Sequence, residues 1–282
     1  MQLTTIQYGG KAFGDYVSRY GRSGDRRDLL QKMIAAGKAS STAEPLPDQD
    51  IIVEITNLIF AGVDTTAVTL SFMFWELANR PEWQRRLQDE LAGVDFGSVP
   101  EHRLVASLPV LDAVLSETLR FWPAAPASLP RVVPEGGGII DGVKVPQDVV
   151  THFTAPVCWS SHVLTQLQII VSCQSYSTHR DPSVFPNPDE FLPSRWLDAS
   201  DDELTAMRDM ILVWGKGQRV CMGKAIATME LKMLIAGLVK RYTVEVDGEE
   251  TNADMNMRDH FVLMAKGGKC MLRFKERGTL DS

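Results

Sequence analysis

The segment from Trp214 to Gly223 constrains the fold more than any other part of the sequence. It reads W-G-K-G-Q-R-V-C-M-G and joins the apolar run 210–213 to a segment, 224–240, that is predicted to be helical. Cys221 therefore lies in a glycine-rich loop at the start of a helix. Glycines allow positive φ and close approach of the backbone to a bulky group. A helix N-terminus offers unpaired N–H groups and partial positive charge, which favour a thiolate over a thiol.

Three interpretations of this loop compete. A phosphate-binding loop requires G-x-x-x-x-G-K-[ST], but here five residues separate Gly217 from Gly223, and Ala225 occupies the hydroxyl position. The second interpretation is a buried structural cysteine, a common environment for a free thiol. The third is an axial cysteine ligand to haem. The loop alone excludes the phosphate site and leaves the other two open.

The composition excludes some partners and compartments. A net charge of −7 and a pI near 5.3 argue against nucleic acid as a partner. Four cysteines without a C-x-x-C pair predict a reducing compartment. Residues 1–12 contain no signal-peptide core. The apolar window 51–63 is short and interrupted by polar residues, so we expect no membrane anchor in this chain, which is predicted to be soluble and cytoplasmic.

A long helix is predicted over residues 48–80. Asp48 can cap its start and Pro81 ends it. Apolar residues cover most of its circumference, which predicts a central, buried helix.

The middle of that helix departs from helical preferences. Residues 61–66 read A-G-V-D-T-T, placing Gly62, Asp64 and two threonines in an apolar interior. Threonine can bond back to the carbonyl four residues earlier and bend a helix. Such departures are expected at functional or strained sites. The segment is either a bent core helix with a paired aspartate or part of a functional site.

A second informative helix is predicted over residues 108–122. Glu117 and Arg120 share one of its faces because they are three residues apart. Taken alone, they are equally compatible with a surface ion pair. A later loop, Phe191–Trp196, contributes Arg195.

The remaining segments are predicted to form short elements. Residues 16–20 and 27–36 are expected to be short helices, and 139–150 a small hairpin that turns at Asp141-Gly142. A second strand pair is expected from 241–246 and 262–274. The predicted fold class is mainly α with small β-sheets.

The order of these motifs resembles the C-terminal half of the cytochrome P-450 (haem-thiolate) family, in its microsomal fungal-type branch. The D-T-T helix comes first, then E-x-x-R, the Arg195 loop, and aromatic-x-x-Gly-x-Arg-x-Cys-x-Gly. Trp214 stands where the family usually has Phe, and Ser194 where it usually has Glu. The resemblance extends from about residue 48 to 275 and implies that half of the family fold, with a long central helix and a cysteine haem loop.

The resemblance also implies roles for individual residues. Cys221 would bind the iron of haem b as a thiolate. Thr65 would hydrogen-bond dioxygen at the haem, and Asp64 would relay protons from solvent. Arg219 and Arg131 would contact the haem propionates. The other residues expected to form the cofactor site are Trp214, Gly217 and Gly223.

Two further groups follow from the resemblance. Glu117, Arg120 and Arg195 would form a buried charged triad that holds the core. The residues expected to line the substrate pocket are Phe60, Ala61, Gly62, Ala125, Ala127, Leu129, Phe261 and Val262.

The implied activity is that of a monooxygenase. It would insert one oxygen atom of O2 into a small apolar organic substrate, using electrons from an NADPH-dependent cytochrome reductase. The full-length parent is expected at the endoplasmic reticulum membrane. Two alternatives remain: a truncated fragment that is inactive or regulatory, and a haem-thiolate isomerase or dehydratase that needs no reductase.

Residues 149–168 do not fit the family pattern. The family runs almost directly from the strand that contains Lys144 to the one that contains Val171. The codons of Val149 begin with GT, and a Gln168 codon can end in AG, as at intron borders. Deleting 149–168 preserves the frame. We hypothesise a retained short intron; the alternative is a genuine loop insertion.

Overall fold

The computed structural model of the chain describes residues 2–35, 46–97, 99–140, 142–146, 170–248 and 254–278. Helices dominate, and the strands form small two-stranded antiparallel sheets. The predicted fold class, mainly α with small β-sheets, is confirmed.

The helices of the described residues range in length from 4 to 32 residues. In chain order they are α1 (Gln2–Tyr20), α2 (Leu29–Ala35), α3 (Asp48–Asn79), α4 (Pro81–Ala92), α5 (His102–Val105), α6 (Pro109–Phe121), α7 (Ser175–Thr178), α8 (Arg195–Asp198), α9 (Asp201–Met210) and α10 (Lys224–Arg241), with a 3-10 turn at Gly217–Arg219.

The strands pair in four antiparallel hairpins or ribbons. They are β1 (Ser128–Val132) with β4 (Ile170–Gln174), β2 (Gly138–Ile140) with β3 (Val143–Val145), β5 (Tyr242–Val246) with β8 (Leu272–Glu276), and β6 (Met257–His260) with β7 (Val262–Ala265).

The chain divides into two compact units, residues 1–64 and 65–282, and the division falls within α3. In the first unit, α1, α2 and the start of α3 enclose a small apolar cluster of Phe13, Ile34 and Ile51. Burying apolar side chains in this way is the main favourable contribution to folding.

The core of the second unit lies between α4, α6 and α10. Leu87, Leu111 and Ile235, one from each helix, are fully buried there. The carboxylate of Glu90 on α4 accepts the backbone N–H groups of Val110 (2.7 Å) and Leu111 (3.0 Å). A side chain of one helix thus satisfies donors that the start of another helix leaves unpaired.

The helix boundaries differ slightly from the predicted ones. The helix predicted over 48–80 ends at Asn79, because Arg80 already serves as the N-cap of α4 with Pro81 in its first turn. The helix predicted over 108–122 occupies Pro109–Phe121, flanked by its caps. The short piece predicted at 16–20 is the end of the longer α1.

The prediction that the long helix is buried along its length was wrong. Its final turns are buried, including Phe72 and Leu77, but Phe60 and Val63 are 45% and 59% exposed. Within the described chain, α3 also has the length and apolar composition of a membrane span, as core helices of soluble proteins can. The window 51–63 underestimated the apolar length of this helix, because the apolar sequence continues beyond Asp64.

The predicted strand over 262–274 is in fact two strands. Its first part, β7, pairs with β6, and its last part, β8, pairs with β5. A turn at Gly268, where φ is +70°, separates them. The hairpin around Asp141-Gly142 is present as β2 and β3, over a shorter range than predicted.

Candidate functional site

The cysteine loop is closed by its own backbone hydrogen bonds. The N–H of Cys221 donates to the carbonyl of Trp214 at 2.6 Å, and that of Gly215 donates to Leu212 at 2.8 Å. The 3-10 turn closes where Val220 N donates to Gly217 O at 3.2 Å. The position of the Cys221 backbone is therefore fixed by the segment that begins at Leu212.

Two glycines of the loop adopt conformations that other residues avoid. Gly215 has φ +66° and Gly217 has φ +68°. At Gly215 an added Cβ would also lie 3.2 Å from the carbonyl oxygen of Arg219. Gly223 does not share this property: it is the N-cap of α10 with φ −82°, so the expectation of positive φ was wrong there.

Cys221 lies just before the N-terminus of α10 and is exposed. The first turn of that helix contains no acidic residue, and the unpaired N–H groups of a helix start carry partial positive charge. At Gly223 an added Cβ would lie 3.9 Å from the sulfur, and apart from its chain neighbours no other described residue comes within 4 Å of it.

The surroundings of the sulfur fit a large apolar cofactor held by a thiolate. Its sequence neighbours Val220 and Met222, and Ile226 on α10, are 50%, 79% and 57% exposed. The space beside the sulfur is left open by a glycine, and these side chains offer apolar surface for a macrocycle.

Glu117 is the centre of a buried charge cluster. Its two oxygens accept hydrogen bonds from Arg120 at 2.7 and 2.8 Å, and both side chains are fully buried. Arg195 (3.2 Å), Trp196 Nε1 (2.9 Å) and the backbone N–H of Leu192 (2.8 Å) also donate to it. The structure thus brings together Glu117, Arg120 and Arg195.

The remaining N–H groups of Arg120 donate to backbone carbonyls. Its Nη1 donates to His179 O at 2.9 Å and Pro188 O at 2.8 Å, and its Nη2 donates to Glu190 O at 2.9 Å. One guanidinium therefore connects α6 to the irregular segment between α7 and α8. A buried arginine needs this many partners, because an unpaired buried charge is strongly destabilising.

His179 was assigned no role from the sequence. It is fully buried. Its Nδ1 lies 3.1 Å from Arg120 O, and its Nε2 lies 2.8 Å from Leu212 N. Burial, and the nearby charges of Arg120 and Arg180, lower the pKa of His179 to about 4, so the ring is neutral near pH 7.

Glu76 and Trp122 were also missed. The indole Nε1 of Trp122 donates to Glu76 Oε1 at 2.6 Å, and Arg80 pairs with the other carboxylate oxygen. The carboxylate is almost fully buried, which raises the pKa of Glu76 to about 7. The apolar pattern predicted a buried helix but did not indicate that Trp122 and Arg80 would pair with this glutamate.

Asp64 and Thr65, the acid and the alcohol expected to relay protons, lie on α3, where the two compact units divide. Asp64 is exposed, and Thr65 is partly buried. The side-chain oxygen of Thr69 donates to Thr65 O at 2.8 Å, and Ser71 bonds to Ala67 O at 2.9 Å. Back-bonding of the kind that we expected therefore occurs in this helix, at Thr69 and Ser71 among other positions.

The two arginines expected at the propionates are both exposed. Arg131 lies on β1 and donates to the neighbouring Pro130 carbonyl at 2.8 Å; Arg219 closes the 3-10 turn. Among the described residues neither forms an ion pair with a carboxylate. Both guanidinium groups are available to an external anion.

Some of the residues expected at the substrate pocket lie on neighbouring segments. Leu263 N donates to Ala124 O at 2.8 Å, which joins the β6–β7 hairpin to the segment that carries Ala125 and Ala127. At the tip of that hairpin Phe261 is 71% exposed with φ +73°. Leu129 and Val262 are partly buried, whereas Phe60, Ala61 and Gly62 are exposed on the first unit.

A family comparison identifies the architecture. The model of the family described as Cytochrome P450 matches residues 16–158 and 166–272. The chain belongs to the cytochrome P450 family. The match begins well before residue 48, where the motif-based resemblance began. Its internal break falls within 149–168, a segment that lies outside the described residues.

Curated P450 relatives are similar over most of this chain. The cytochrome P450 monooxygenase FGM1 of Gibberella zeae is 31% identical over 90% of the chain and 46% of its own length. The mitochondrial sterol 26-hydroxylase of Rattus norvegicus is 33% identical over 84% of the chain and 40% of its own length. For the P450 monooxygenase ankB of Aspergillus thermomutatus the values are 33%, 86% and 42%. The chain thus spans less than half the length of these relatives.

Proposed function

We propose that this chain carries the haem-thiolate site of a P450 monooxygenase, with Cys221 as the axial ligand. The observation that carries the proposal is the position of Cys221. Its sulfur is exposed at the N-terminus of α10, in a loop closed by the bond between Cys221 N and Trp214 O. Membership of the family implies haem as the cofactor.

When bound, haem b supplies the iron at which O2 is activated for insertion of one oxygen atom into the substrate. Cys221 holds the metal as a thiolate, which the helix N-terminus stabilises. Arg219 and Arg131 pair with the propionates, since guanidinium–carboxylate pairs are strong and directional. Both side chains are exposed and free of carboxylate partners among the described residues.

Asp64 and Thr65 are proposed to deliver protons. The exposed carboxylate of Asp64 can exchange protons with water, and the Thr65 hydroxyl can pass a proton onward by accepting one and donating another. Gly62 leaves the helix surface beside them free of a side chain. The presence of this pair argues against an isomerase or dehydratase, which would not need it.

The proposed substrate is a small apolar organic molecule. Ala125, Ala127, Leu129 and Val262 offer partly buried apolar surface, and Phe261 projects from the hairpin tip. Electrons would come from an NADPH-dependent cytochrome reductase, and the parent protein would reside at the endoplasmic reticulum membrane. These partners and this location are those that the resemblance to the microsomal branch implies.

The test is haem stoichiometry and the carbon-monoxide difference spectrum of the reduced protein. We expect a thiolate-type Soret band that Cys221→Ala abolishes. Cys173→Ala is the matched control, because Cys173 is also an exposed free thiol but lies on β4; it should leave the band unchanged. Absence of haem from the purified chain would instead support the inactive or regulatory fragment.

We also propose that residues 149–168 derive from a retained intron. The interruption of the family match at 159–165 supports an anomaly in this segment. Sequencing of mature transcripts should reveal messages that lack the codons for 149–168. Abundant mature transcripts that encode the whole segment would support a genuine loop instead.

A further inference from the structure

We propose that His179 is a positioning residue for Cys221: its imidazole ties the end of α6 to the segment that fixes the cysteine loop. This inference rests on the proposed role of Cys221 as a thiolate ligand. His179 itself lies directly after α7 and accepts a hydrogen bond from Leu212 N, in the segment that leads into the loop.

The hydrogen bonds of the ring assign its tautomer. A backbone N–H can only donate, so Nε2, 2.8 Å from Leu212 N, must accept and carry no proton. The proton therefore resides on Nδ1, which donates to the carbonyl of Arg120 at 3.1 Å. Both ring nitrogens are occupied, each by a different segment of backbone.

The ring remains neutral in this environment. It is fully buried, and burial together with the charges of Arg120 and Arg180 holds the pKa of His179 at about 4. An imidazolium would place a second donor against the Leu212 N–H. The neutral form is therefore the only one that can make both bonds.

A short path leads from the ring to the sulfur. The carbonyl of Leu212, whose N–H is held by His179, accepts from Gly215 N at 2.8 Å. Next in the chain, the carbonyl of Trp214 accepts from Cys221 N at 2.6 Å. Displacement of Leu212 would thus be transmitted through two backbone hydrogen bonds to Cys221.

The other end of the link is rigid. Arg120, whose carbonyl accepts from His179 Nδ1, has its guanidinium fixed by Glu117, and it donates in return to the carbonyl of His179 at 2.9 Å. The pair of residues is therefore joined in both directions. His179 connects the buried charge cluster to the loop, so the position of the cluster determines the position of the loop.

Two substitutions separate the functions of the ring nitrogens. His179→Asn can keep a donor near Arg120 O but lacks the acceptor for Leu212 N–H. His179→Gln can place its amide oxygen near the Nε2 position and keep that acceptor. If His179 positions the loop, His179→Asn should perturb the loop and His179→Gln should spare it.

Hydrogen exchange in the haem-free 282-residue chain gives a readout that does not depend on haem or on activity. In His179→Asn, exchange at the Leu212 and Cys221 amides should accelerate roughly tenfold or more, as expected for loss of a buried hydrogen bond. His179→Gln should keep both amides close to the wild-type rate. In the haem-loaded protein, only His179→Asn should diminish the thiolate-type Soret band.

Gln84→Met is the matched control. Gln84 is buried and bridges backbone groups in the same manner, donating to Val244 O at 2.9 Å and accepting from Val244 N at 2.7 Å. Its substitution should lower stability and increase exchange at Val244, but leave the Cys221 amide unchanged.

Two results would overturn the proposal: wild-type exchange at Cys221 in His179→Asn, or equal acceleration at Cys221 in Gln84→Met. If His179→Asn does not fold, the result for His179→Gln tests the proposal. Rapid exchange at Cys221 in that folded variant would count against positioning of the loop by His179. If the exchange pattern is as expected but the wild-type chain binds no haem, the positioning role of His179 is supported and the proposed haem site fails.

Discussion

The indole of Trp122 donates a hydrogen bond of 2.6 Å to the carboxylate of Glu76, joining α3 to the end of α6. Trp122 is itself stacked on Phe72, with ring centroids 4.3 Å apart. Glu76 is 1% exposed, and Arg80 pairs with its other oxygen. Burial raises the pKa of Glu76 to about 7 despite these partners, and the charge of Glu117 adds to the effect.

This relationship predicts that the contribution of Glu76 to stability falls as the pH rises toward neutrality. The pKa of Glu76 is about 7 in the folded state and 4.5 in the reference state. The folded state therefore binds more protons between these values, and the contribution is full below pH 4.5 and lost through about pH 7. The shift corresponds to roughly 3 kcal/mol.

The free energy of unfolding of the wild type minus that of Glu76→Gln, which cannot ionise, should fall across this pH range when both are measured by urea titration. Glu101→Gln is the control, since Glu101 forms an exposed pair with Arg103, and it should follow the wild-type profile. A Glu76→Gln profile as steep as that of the wild type would contradict the assignment.

His179 predicts the opposite slope. Its pKa is lowered from 6.5 to about 4 on folding, so the unfolded state binds more protons between these values. Its contribution is complete above pH 6.5 and is lost as the pH falls toward about 4. His179→Gln should remove this acid-side loss of roughly 3 kcal/mol. Chemical denaturation below neutrality measures the free energy of unfolding. A decline toward acid pH that is the same in the variant as in the wild type would contradict the prediction.

Glu117→Gln should destabilise the chain by about 3–5 kcal/mol, because it leaves Arg120 as a buried charge without its counter-ion. The amide would also direct N–H groups at donors, since Arg120, Trp196 and the Leu192 N–H all point at this side chain. The free energy of unfolding from urea titration provides the measurement. A loss below about 1 kcal/mol, the value typical of an exposed pair, would refute a buried cluster.

Gly215→Ala should weaken the loop more than Gly217→Ala. Both glycines have positive φ, which costs an L-residue roughly 1–2 kcal/mol. Only at Gly215 would the new methyl also press on the Arg219 carbonyl, at 3.2 Å, whereas Gly217 has open space. Thermal unfolding and haem titration of the two variants measure the difference. Equal losses of stability and haem binding would show that the contact with the Arg219 carbonyl has no effect.

Local sequence features determined much of the framework. The glycine spacing predicted positive φ at positions 215 and 217, and the spacing of Glu117 and Arg120 placed them on one helix face. Proline and capping residues located the helix ends within one residue for α3 and α6. These features succeed because they depend on the backbone preferences of neighbouring residues.

Tertiary structure decided what the local pattern could not encode. The division of residues 262–274 between two sheets depends on which distant strand supplies the partner. The exposure of Phe60 depends on what packs against α3, and the apolar pattern alone predicted burial.

The same distinction applies to the site. The sequence by itself determined that Cys221 stands in a glycine loop at the start of a helix, and that a charged pair on another helix could accompany it. Only the tertiary structure placed His179 between Arg120 and Leu212, and Glu76 against Trp122. The reason is physical: desolvation and hydrogen bonds between segments far apart in the chain set these contacts, and no periodicity within one segment reports them.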